Sequence, residues 1–292
     1  MAPTSEPALA AQDPVLRFLH DTVGLEHLHY GLWEANDREI SFAALRRAQQ
    51  RYTQRLLDIV ATLPVKDVLD AGCGFGSNAI ALARHGYRVA LLSPDPYQLA
   101  RIENGSFTAK HLAKFEDFEP VVRCDLVLMS ESSQYVRDLD RLFAVCDRAL
   151  RRPGYLLIAD YFTRRPRAER RHPIERSGHP IDELRAKARA AGFTIELDQD
   201  ISDGVLPTLE LAASMIDRHV SPMLHHLDLD FRAKCARSGP FVRWLRRRVK
   251  YRALLAAVSF VERRVAADFR PRIDPEAFRQ LKEYRILLFR RS

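Results

Sequence analysis

A buried strand that ends in a run of glycines and continues as a helix constrains the fold of this chain most strongly. The apolar run Val65 to Leu69 predicts a short strand, and "SNAIALARHG" predicts a helix with Ser77 as its N-cap and Gly86 at its C-terminal end. Three glycines between these elements allow backbone conformations that side chains would block, and let a ligand come close: Gly72, Gly74 and Gly76. A second strand, "YRVALL", follows directly. Strand, glycine turn, helix and strand form half of a nucleotide-binding α/β unit.

Strand-like and helix-like segments alternate through the middle of the chain. The strand-like runs are "KDVLDA", "RVALL", "CDLVLM", "YLLIADYF" and "FTIELD", with a less clear one between Ser106 and Phe115. The helix-like segments are Ser77–His85, Tyr97–Asn104, Leu139–Leu150 and Asp182–Ala190. This alternation predicts an α/β fold, a Rossmann-like, doubly wound and largely parallel sheet covered on both faces.

Two flanking segments break the alternation. Residues 15–63 predict an N-terminal helical lid, whose clearest amphipathic helix is "SFAALRRAQQRYTQRLLDIVATL". Residues 203–275 predict a helical insertion, or second lid, before a closing helix and strand in residues 276–292. Residues 64–202 then form the core, and the Ala/Pro-rich residues 1–14 are expected to be a disordered tail.

The composition is ordinary for a soluble globular protein. Of 292 residues, 47% are hydrophobic and 29% charged. No apolar run approaches the roughly 20 residues of a membrane span, and the N-terminus lacks the basic region and apolar core of a signal peptide. Four cysteines without paired spacing indicate neither a disulfide framework nor a zinc site, so we expect a reducing cytoplasm.

The net charge of +8 is spread unevenly. Nine Lys or Arg residues and no acid lie between Phe231 and Val261. Such a block fits nucleic acid, an anionic membrane surface, an acidic small substrate or a solvated helix face. The segment "FVRWLRRRVKYRALLAAVSFVERRVAADF" reads as a basic amphipathic helix, which leaves open peripheral contact with an anionic membrane or packing on its own domain.

Two common nucleotide-binding motifs do not match the glycine turn. A dinucleotide fingerprint needs G-x-G-x-x-G, whereas the residue three after Gly74 is Ser77. A P-loop needs Lys-Ser/Thr after the glycines, and none follows. Asp70 stands at the strand tip just before the turn, where its carboxylate suits a cationic ligand better than a pyrophosphate.

The stretch "VLDAGCGFG" resembles motif I of the class I S-adenosylmethionine-dependent methyltransferases. "CDLVLMSES" is similar to their fourth strand and its active-site tip, "LRRPGYLLIADYF" to their fifth strand with its Pro-Gly turn, and "YRILLF" to their last strand. The resemblance covers roughly Val65 to Phe162 and the final strand. It implies a seven-stranded sheet whose last strand runs antiparallel, with S-adenosylmethionine as cofactor.

The resemblance also implies where the cofactor binds. The loop of Gly72, Cys73, Gly74 and Gly76 would pass beneath its methionine part, with Asp70 close by. The acid that usually ends the second strand is replaced by Ser93, so either Ser93 or Asp95 would reach the ribose. "LLSPDPYQ" is similar to the cyclopropane-synthase-like branch, which lacks that acid. The remaining candidates are Glu116 and Asp117 for the adenine and Ser130 at the fourth strand.

The acceptor side is predicted at "SESSQY", the tip of the fourth strand. Methyl transfer requires alignment and, where needed, removal of a proton. Glu131 is the first candidate for a base or a substrate ligand, and the alternative is that it only bonds to the cofactor's amino end or to backbone donors. Gln134 and Tyr135 would orient the acceptor.

Upstream, "LHYGLWE" is similar to a lid element of small-molecule and lipid methyltransferases, including tocopherol-type enzymes. By that similarity Tyr30, Gly31 and Trp33 would close over the cofactor, with Trp33 also named for the substrate site. The alternative for Trp33 and Tyr30 is a packed aromatic cluster in a surface helix. His29 would take a proton, because imidazole titrates near neutrality. We therefore name His29 and Tyr30, with Glu131, as candidate catalytic residues.

The predicted function is methyl transfer from S-adenosylmethionine to a small-molecule or lipid-like acceptor in a lidded pocket. A nucleic-acid methyltransferase fits the positive charge, but no Asn/Asp-Pro-Pro-Tyr/Phe element is present. A non-enzymatic protein that binds the cofactor is the alternative of a different class. No metal is expected, because His219, His225 and His226 lack partners at the spacing of a metal motif.

Overall fold

Seven strands form one mixed sheet in the computed structural model, which describes residues 14–37, 39–102, 107–236, 267 and 269–292. The strands are β1 (Asp67–Ala71), β2 (Arg88–Ser93), β3 (Phe107–Leu112), β4 (Cys124–Ser130), β5 (Leu150–Thr163), β6 (Phe193–Asp200) and β7 (Lys282–Arg291). Their order is β3-β2-β1-β4-β5-β7-β6. Strands β1 to β5 pair in parallel, and β7 runs antiparallel to both β5 and β6. The predicted seven-stranded Rossmann-like sheet with an antiparallel last strand is confirmed.

Helices cover both faces of this sheet. They are α1 (Pro14–Asp21), α2 (Phe42–Ala61), α3 (Ser77–Arg84), α4 (Pro96–Arg101), α5 (Leu139–Ala149), α6 (Ile181–Ala190), α7 (Ser202–Met215), α8 (Ser221–Ala236) and α9 (Pro275–Leu281). A turn of π-helix, Ile216–Val220, joins α7 to α8. Side chains cap the N-terminal ends of several helices. The Ser41 hydroxyl accepts the Ala44 N–H at α2, and Asp138 caps α5.

Two apolar layers hold the helices to the sheet. On one face, Leu56, Leu57 and Val60 of α2 pack with residues of β1, β4 and β7. On the other face, Phe143 of α5 and Leu184 of α6 pack against β4 and β5. Each fully buried side chain of this size contributes about 1.5–3 kcal/mol. The amphipathic helix of the N-terminal segment therefore packs directly on the sheet.

The two helical flanks also contact each other. Trp33 is buried between α2 and α7, where it packs with Ala48 and Leu211. The backbone N–H of Trp33 donates to the Gly204 carbonyl at 2.7 Å. This third apolar cluster joins segments that lie far apart in the sequence.

Two local predictions are corrected by the structure. Ser77 is not the N-cap of α3: the cap is Gly76, with φ of 83°, and the Ser77 hydroxyl donates to the Glu26 carbonyl at 2.6 Å. The turn needs a left-handed residue at the cap, which glycine supplies without strain. The helix predicted to run from Tyr97 to Asn104 ends at Arg101, because Ile102 is extended.

Several expectations fall outside the described residues. Residues 1–13 of the predicted disordered tail lie outside them, whereas Pro14, the last residue of that predicted tail, begins α1. Most of the basic segment, residues 237–266, also lies outside. Within the described part of the chain, no helix is both long and apolar enough to cross a membrane.

Candidate functional site

The glycine turn after β1 exposes backbone at one position and packs tightly at another. Gly72 and Cys73 donate their N–H groups to the Leu92 carbonyl at 2.8 and 3.1 Å, which holds the turn against β2. A Cβ atom on Gly72 would lie 2.3 Å from the Ser132 Cβ, whereas one on Gly74 would meet no atom within 4 Å. Gly74 therefore borders open space at the carboxyl edge of the sheet, where a ligand can approach the backbone.

Asp70 lies beneath this turn with one oxygen unmatched. Its side chain is 1% exposed, and Oδ2 has no hydrogen-bond partner. Burial raises the pKa of Asp70 to about 7, although the Ala79 N–H partly opposes the shift. A cationic group nearby would stabilise the carboxylate and restore its ordinary acidity, so the residue fits a positively charged ligand.

Ser93 and Asp95, the two candidates for the ribose, shape the turn after β2. The Ser93 hydroxyl donates to Gln98 at 3.0 Å and accepts the Asp95 N–H at 3.1 Å. Asp95 in turn accepts the Tyr97 N–H at 2.8 Å as the N-cap of α4. Both side chains are buried and already hold the backbone that would face the ribose.

The other cofactor candidates differ in their surroundings. Cys73 is buried, its thiol faces the Gly74 carbonyl at 3.8 Å, and burial raises its pKa. Glu116 and Asp117 lie in a one-turn 3₁₀ helix after β3, where Arg141 pairs with Asp117 at 3.6 Å. These two acids lie at the carboxyl end of β3.

Glu131 follows β4 in a strained conformation. Its φ of 53° is the one positive value among non-glycine residues in the described part of the chain. Its Oε1 accepts the Tyr30 N–H at 2.6 Å and the Tyr284 hydroxyl at 2.8 Å. Burial raises the pKa of Glu131 to about 8, and the carboxyl of Asp160 adds to this shift. Such a carboxyl changes charge near neutral pH, as a general base must.

A chain of hydroxyl groups extends from Glu131 into the core. The Tyr284 hydroxyl lies 2.8 Å from that of Tyr52, which lies 3.1 Å from the Ser130 hydroxyl. Tyr52 and Tyr284 are fully buried. Ser130 thus contacts this network. Sequence reasoning missed both tyrosines, although each follows the apolar periodicity of its element: Tyr52 is four residues before Leu56 on α2, and Tyr284 is two residues before Ile286 on β7.

The N-terminal motif reaches Glu131 through its backbone. His29 Nδ1 donates to the Tyr30 carbonyl at 2.8 Å, and its ring stacks on Tyr52 with centroids 4.2 Å apart. Burial lowers the pKa of His29 to about 3, so the ring is neutral. The Tyr30 ring lies 6.0 Å from that of Tyr161, and burial raises the Tyr30 pKa. Trp33 instead donates to the Thr208 hydroxyl at 2.9 Å, within the third apolar cluster.

Gln134 and Tyr135 lie on the other side of Glu131. Gln134 accepts a hydrogen bond from the Tyr161 hydroxyl, and its backbone N–H donates to Asp160 at 3.1 Å. Tyr135 is 64% exposed. Burial raises the pKa of Asp160 to about 6. A lone acid inside the apolar run "YLLIADYF" was a signal that could have identified Asp160 as a functional candidate.

The described residues contain no group of three or more His, Cys, Asp or Glu side chains able to hold a metal ion. His225 and His226 have ring centroids 6.1 Å apart.

The sheet order, the antiparallel β7 and the acid-plus-glycine turn at β1 together define the architecture of class I methyltransferases. Residues 42–197 match the family described as a methyltransferase domain, which is more than half of the chain, and the chain belongs to that family. The predicted resemblance to S-adenosylmethionine-dependent methyltransferases is confirmed.

Individual relatives agree with this assignment. The 27-O-demethylrifamycin SV methyltransferase of Amycolatopsis mediterranei (strain S699) is 25% identical over 228 residues, covering 72% of this chain and 82% of the relative. Among solved structures, a candidate sarcosine dimethylglycine methyltransferase from Galdieria sulphuraria is 18% identical with a TM-score of 0.68, covering 96% and 99% of the two chains. The geranyl diphosphate C-methyltransferase of Streptomyces coelicolor A3(2), solved with Mg²⁺, geranyl-S-thiolodiphosphate and S-adenosyl-L-homocysteine, is 19% identical with a TM-score of 0.63, covering 97% and 94%.

Proposed function

We propose that this enzyme transfers a methyl group from S-adenosylmethionine to a small-molecule acceptor bound beside Glu131. The observation that carries the proposal is the presence of a buried acid, Asp70, and a half-buried acid, Glu131, at adjacent strand ends. Asp70 is the second-last residue of β1, next to the open glycine turn, and Glu131 follows the neighbouring β4. One acid fits the cofactor and the other fits the acceptor.

The glycine turn and Asp70 are suited to hold the cofactor. The open space at Gly74 admits a ligand against the backbone, and the unmatched Asp70 oxygen accepts hydrogen bonds or positive charge. Gly72, Cys73 and Gly76 shape the turn, while Ser93 and Asp95 face the ribose and Glu116 or Asp117 the adenine. When bound, S-adenosylmethionine supplies a methyl group on a positively charged sulfur.

Glu131 is the proposed proton acceptor. Its pKa of about 8 makes it a base of useful strength near neutrality, and Tyr284 and the Tyr30 N–H orient it. A hydroxyl or amine acceptor would give its proton to this carboxylate as the methyl group arrives. His29, neutral and bonded to the Tyr30 carbonyl, positions the Tyr30 backbone, and its contacts favour this over a role as base.

Tyr30 and Tyr161 form the proposed aromatic wall of the acceptor pocket, with Gln134 and Tyr135 at its outer side. The flanking helical segments would cover it, with Trp33 joining them. We place the reaction in the cytoplasm, which is supported by the free, buried thiols of Cys73, Cys124 and Cys146. Peripheral contact of the basic segment with an anionic membrane remains a separate expectation.

The test is calorimetric binding of S-adenosylmethionine and S-adenosylhomocysteine to the native chain and to Asp70→Ala. Asp58→Ala is the matched control, because Asp58 is an exposed acid on α2. We expect binding that Asp70→Ala weakens at least about tenfold and the control leaves unchanged. The absence of binding in the native chain would refute the cofactor. Transfer of labelled methyl groups to a panel of small acceptors, lost in Glu131→Gln with cofactor binding retained, would test the base.

A further inference from the structure

A cavity of about 370 Å³ opens directly beside the proposed acceptor site. Gln134 and Tyr135 form its inner wall, and arginines dominate the rest: Arg137, Arg167, Arg170 and Arg176. Gln134 links the two regions, because its side chain donates to the Glu131 carbonyl at 3.4 Å and accepts from the Tyr161 hydroxyl. A molecule that fills the cavity and extends past Gln134 would reach Glu131.

The positive charge of this cavity is only partly balanced by neighbouring acids, because Glu175 and Glu183 act on Arg170 without forming an ion pair with it. Arg167 lies 3.6 Å from Glu183. Among the described residues, Arg137, Arg170 and Arg176 have no carboxylate within the 4.0 Å of an ion pair, although most other arginines of the core do. Three unpaired guanidinium groups around one concave surface repel each other unless an anion lies between them.

Arg170 shows most clearly that the site is built and not a solvated edge. Its NH2 group donates to the Thr163 hydroxyl at 2.7 Å and to the Gly178 carbonyl at 3.0 Å, which fixes the guanidinium in place. Its Nε is buried without a hydrogen-bond partner. Burial and the nearby charge of Arg167 lower the pKa of Arg170, and the more distant carboxylates of Glu175 and Glu183 oppose this shift.

The neighbouring groups are fixed as well. His179 is buried, with one ring nitrogen 3.0 Å from the Ser133 carbonyl and the other 3.0 Å from Arg167. The Arg167 side chain also reaches the Arg137 carbonyl at 3.4 Å. The loop after β5 and the tip of β4 thus form one surface.

We propose that this arginine cavity binds a phosphate or diphosphate group of the methyl acceptor. Four arginines line this cavity, and three of them form no ion pair within 4.0 Å, which favours an anion of charge two or more. A phosphate ester or diphosphate carries that charge, and a single carboxylate does not. Guanidinium groups bind phosphate oxygens through paired hydrogen bonds. The proposal rests on the proposed function, since it names the chemical class of the acceptor at that site.

Calorimetry with simple anions tests the cavity apart from catalysis. The full chain, saturated with S-adenosylhomocysteine at low ionic strength, is titrated with inorganic diphosphate, inorganic phosphate and succinate. We expect diphosphate to bind most tightly and succinate most weakly. Arg176→Gln and Arg137→Gln should each weaken diphosphate binding about tenfold or more. Arg171→Gln is the control, because Arg171 lies on the same loop but outside the cavity, bonded to the Ala168 carbonyl.

The outcomes separate the possible sources of phosphate and the two proposals. No diphosphate binding, or equal loss in Arg171→Gln and Arg176→Gln, would overturn the site. A single-stranded RNA oligonucleotide that binds more tightly than diphosphate, with the same dependence on Arg137 and Arg176, would assign the cavity to nucleic acid and overturn an acceptor of small size. Titration of S-adenosylhomocysteine alone tests the proposed function. If the chain binds diphosphate but not S-adenosylhomocysteine, methyl transfer is refuted and the cavity remains an anion site.

Discussion

An added methyl group should have different effects at two glycines of the same turn. Gly72 has φ of 82° and Gly74 has φ of 54°, so alanine at either position costs about 1–2 kcal/mol in backbone strain. At Gly72 the new Cβ would also lie 2.3 Å from the Ser132 Cβ, and such overpacking adds about 1–3 kcal/mol. We therefore expect Gly72→Ala to lower the free energy of unfolding by about 2–5 kcal/mol.

Gly74→Ala should lower the free energy of unfolding only by the backbone strain, about 1–2 kcal/mol, but should lower the affinity for the cofactor strongly. Its Cβ meets no protein atom within 4 Å, and it would project into the space assigned to the cofactor. We expect S-adenosylhomocysteine to bind at least about tenfold more weakly, equivalent to about 1.4 kcal/mol. Denaturant unfolding with linear extrapolation measures the first effect, and calorimetry the second.

Ser132→Gly provides the internal control for this reasoning. It removes the Cβ that Gly72→Ala would strike, so the double variant should recover about 1–3 kcal/mol relative to the sum of the single changes. Strictly additive effects, or equal stability of Gly72→Ala and Gly74→Ala, would show that the steric argument is wrong. Unchanged cofactor affinity in Gly74→Ala would remove the turn from the binding site.

Three further changes test the surroundings of the site. Tyr284→Phe removes a hydroxyl that favours the Glu131 carboxylate, so the pH–rate profile should move to higher pH, and unfolding should become about 1–3 kcal/mol easier. Asp70 has a pKa of about 7 in the folded chain, above the ordinary 3.8, so its contribution to stability is lost as pH rises between these values. Asp70→Asn should abolish that decline, which urea unfolding at pH 5 and pH 8 would measure. His20→Ala removes a ring stacked on Phe75 at 3.7 Å, and should weaken S-adenosylhomocysteine binding severalfold while changing stability by less than about 1.5 kcal/mol.

Matched variants distinguish these effects from general damage. Tyr87→Phe, Asp58→Asn and His219→Ala change the same residue types outside the site. They should leave the pH–rate profile, the decline of stability with pH and the affinity for S-adenosylhomocysteine unchanged. A Tyr284→Phe profile that coincides with the native one would mean that Glu131 does not set the observed pH dependence. If the stability of Asp70→Asn declines with pH as that of the native chain does, the decline comes from other buried acids. If His20→Ala binds S-adenosylhomocysteine as tightly as the native chain, α1 does not contribute to cofactor binding.

The central sheet could be predicted because its strands are buried on both faces. Residues 126–129 of β4 and 155–159 of β5 form continuous apolar runs, which are typical of strands covered on both faces of a sheet. The edge strand β3 gave a weaker signal, since its residues are only partly buried and its sequence "FTAKHL" carries no such run. The helix boundary at Gly76 was misplaced because the sequence does not reveal that the cap must be left-handed.

Only part of the candidate site could be proposed from the sequence, for a similar reason. Asp70 and Glu131 could be named as candidates because strand ends gather at one edge of a parallel sheet. Their surroundings depend on contacts between distant segments: Tyr52 and Tyr284 meet across the core, 232 positions apart. Nothing local in "LHYGLWE" distinguishes Trp33, which packs between two helices, from His29, which holds the Tyr30 carbonyl.

The central position of β7 has a consequence for how the molecule is made. Within the described residues, β6 pairs with β7 alone, so β6 stays without a strand partner until β7 has left the ribosome. The same strand brings Tyr284 to Glu131. Closing the sheet and completing the hydrogen bonds of the proposed base are therefore a single late event of folding, and a chain halted before residue 282 would hold a glycine turn without a finished acceptor site.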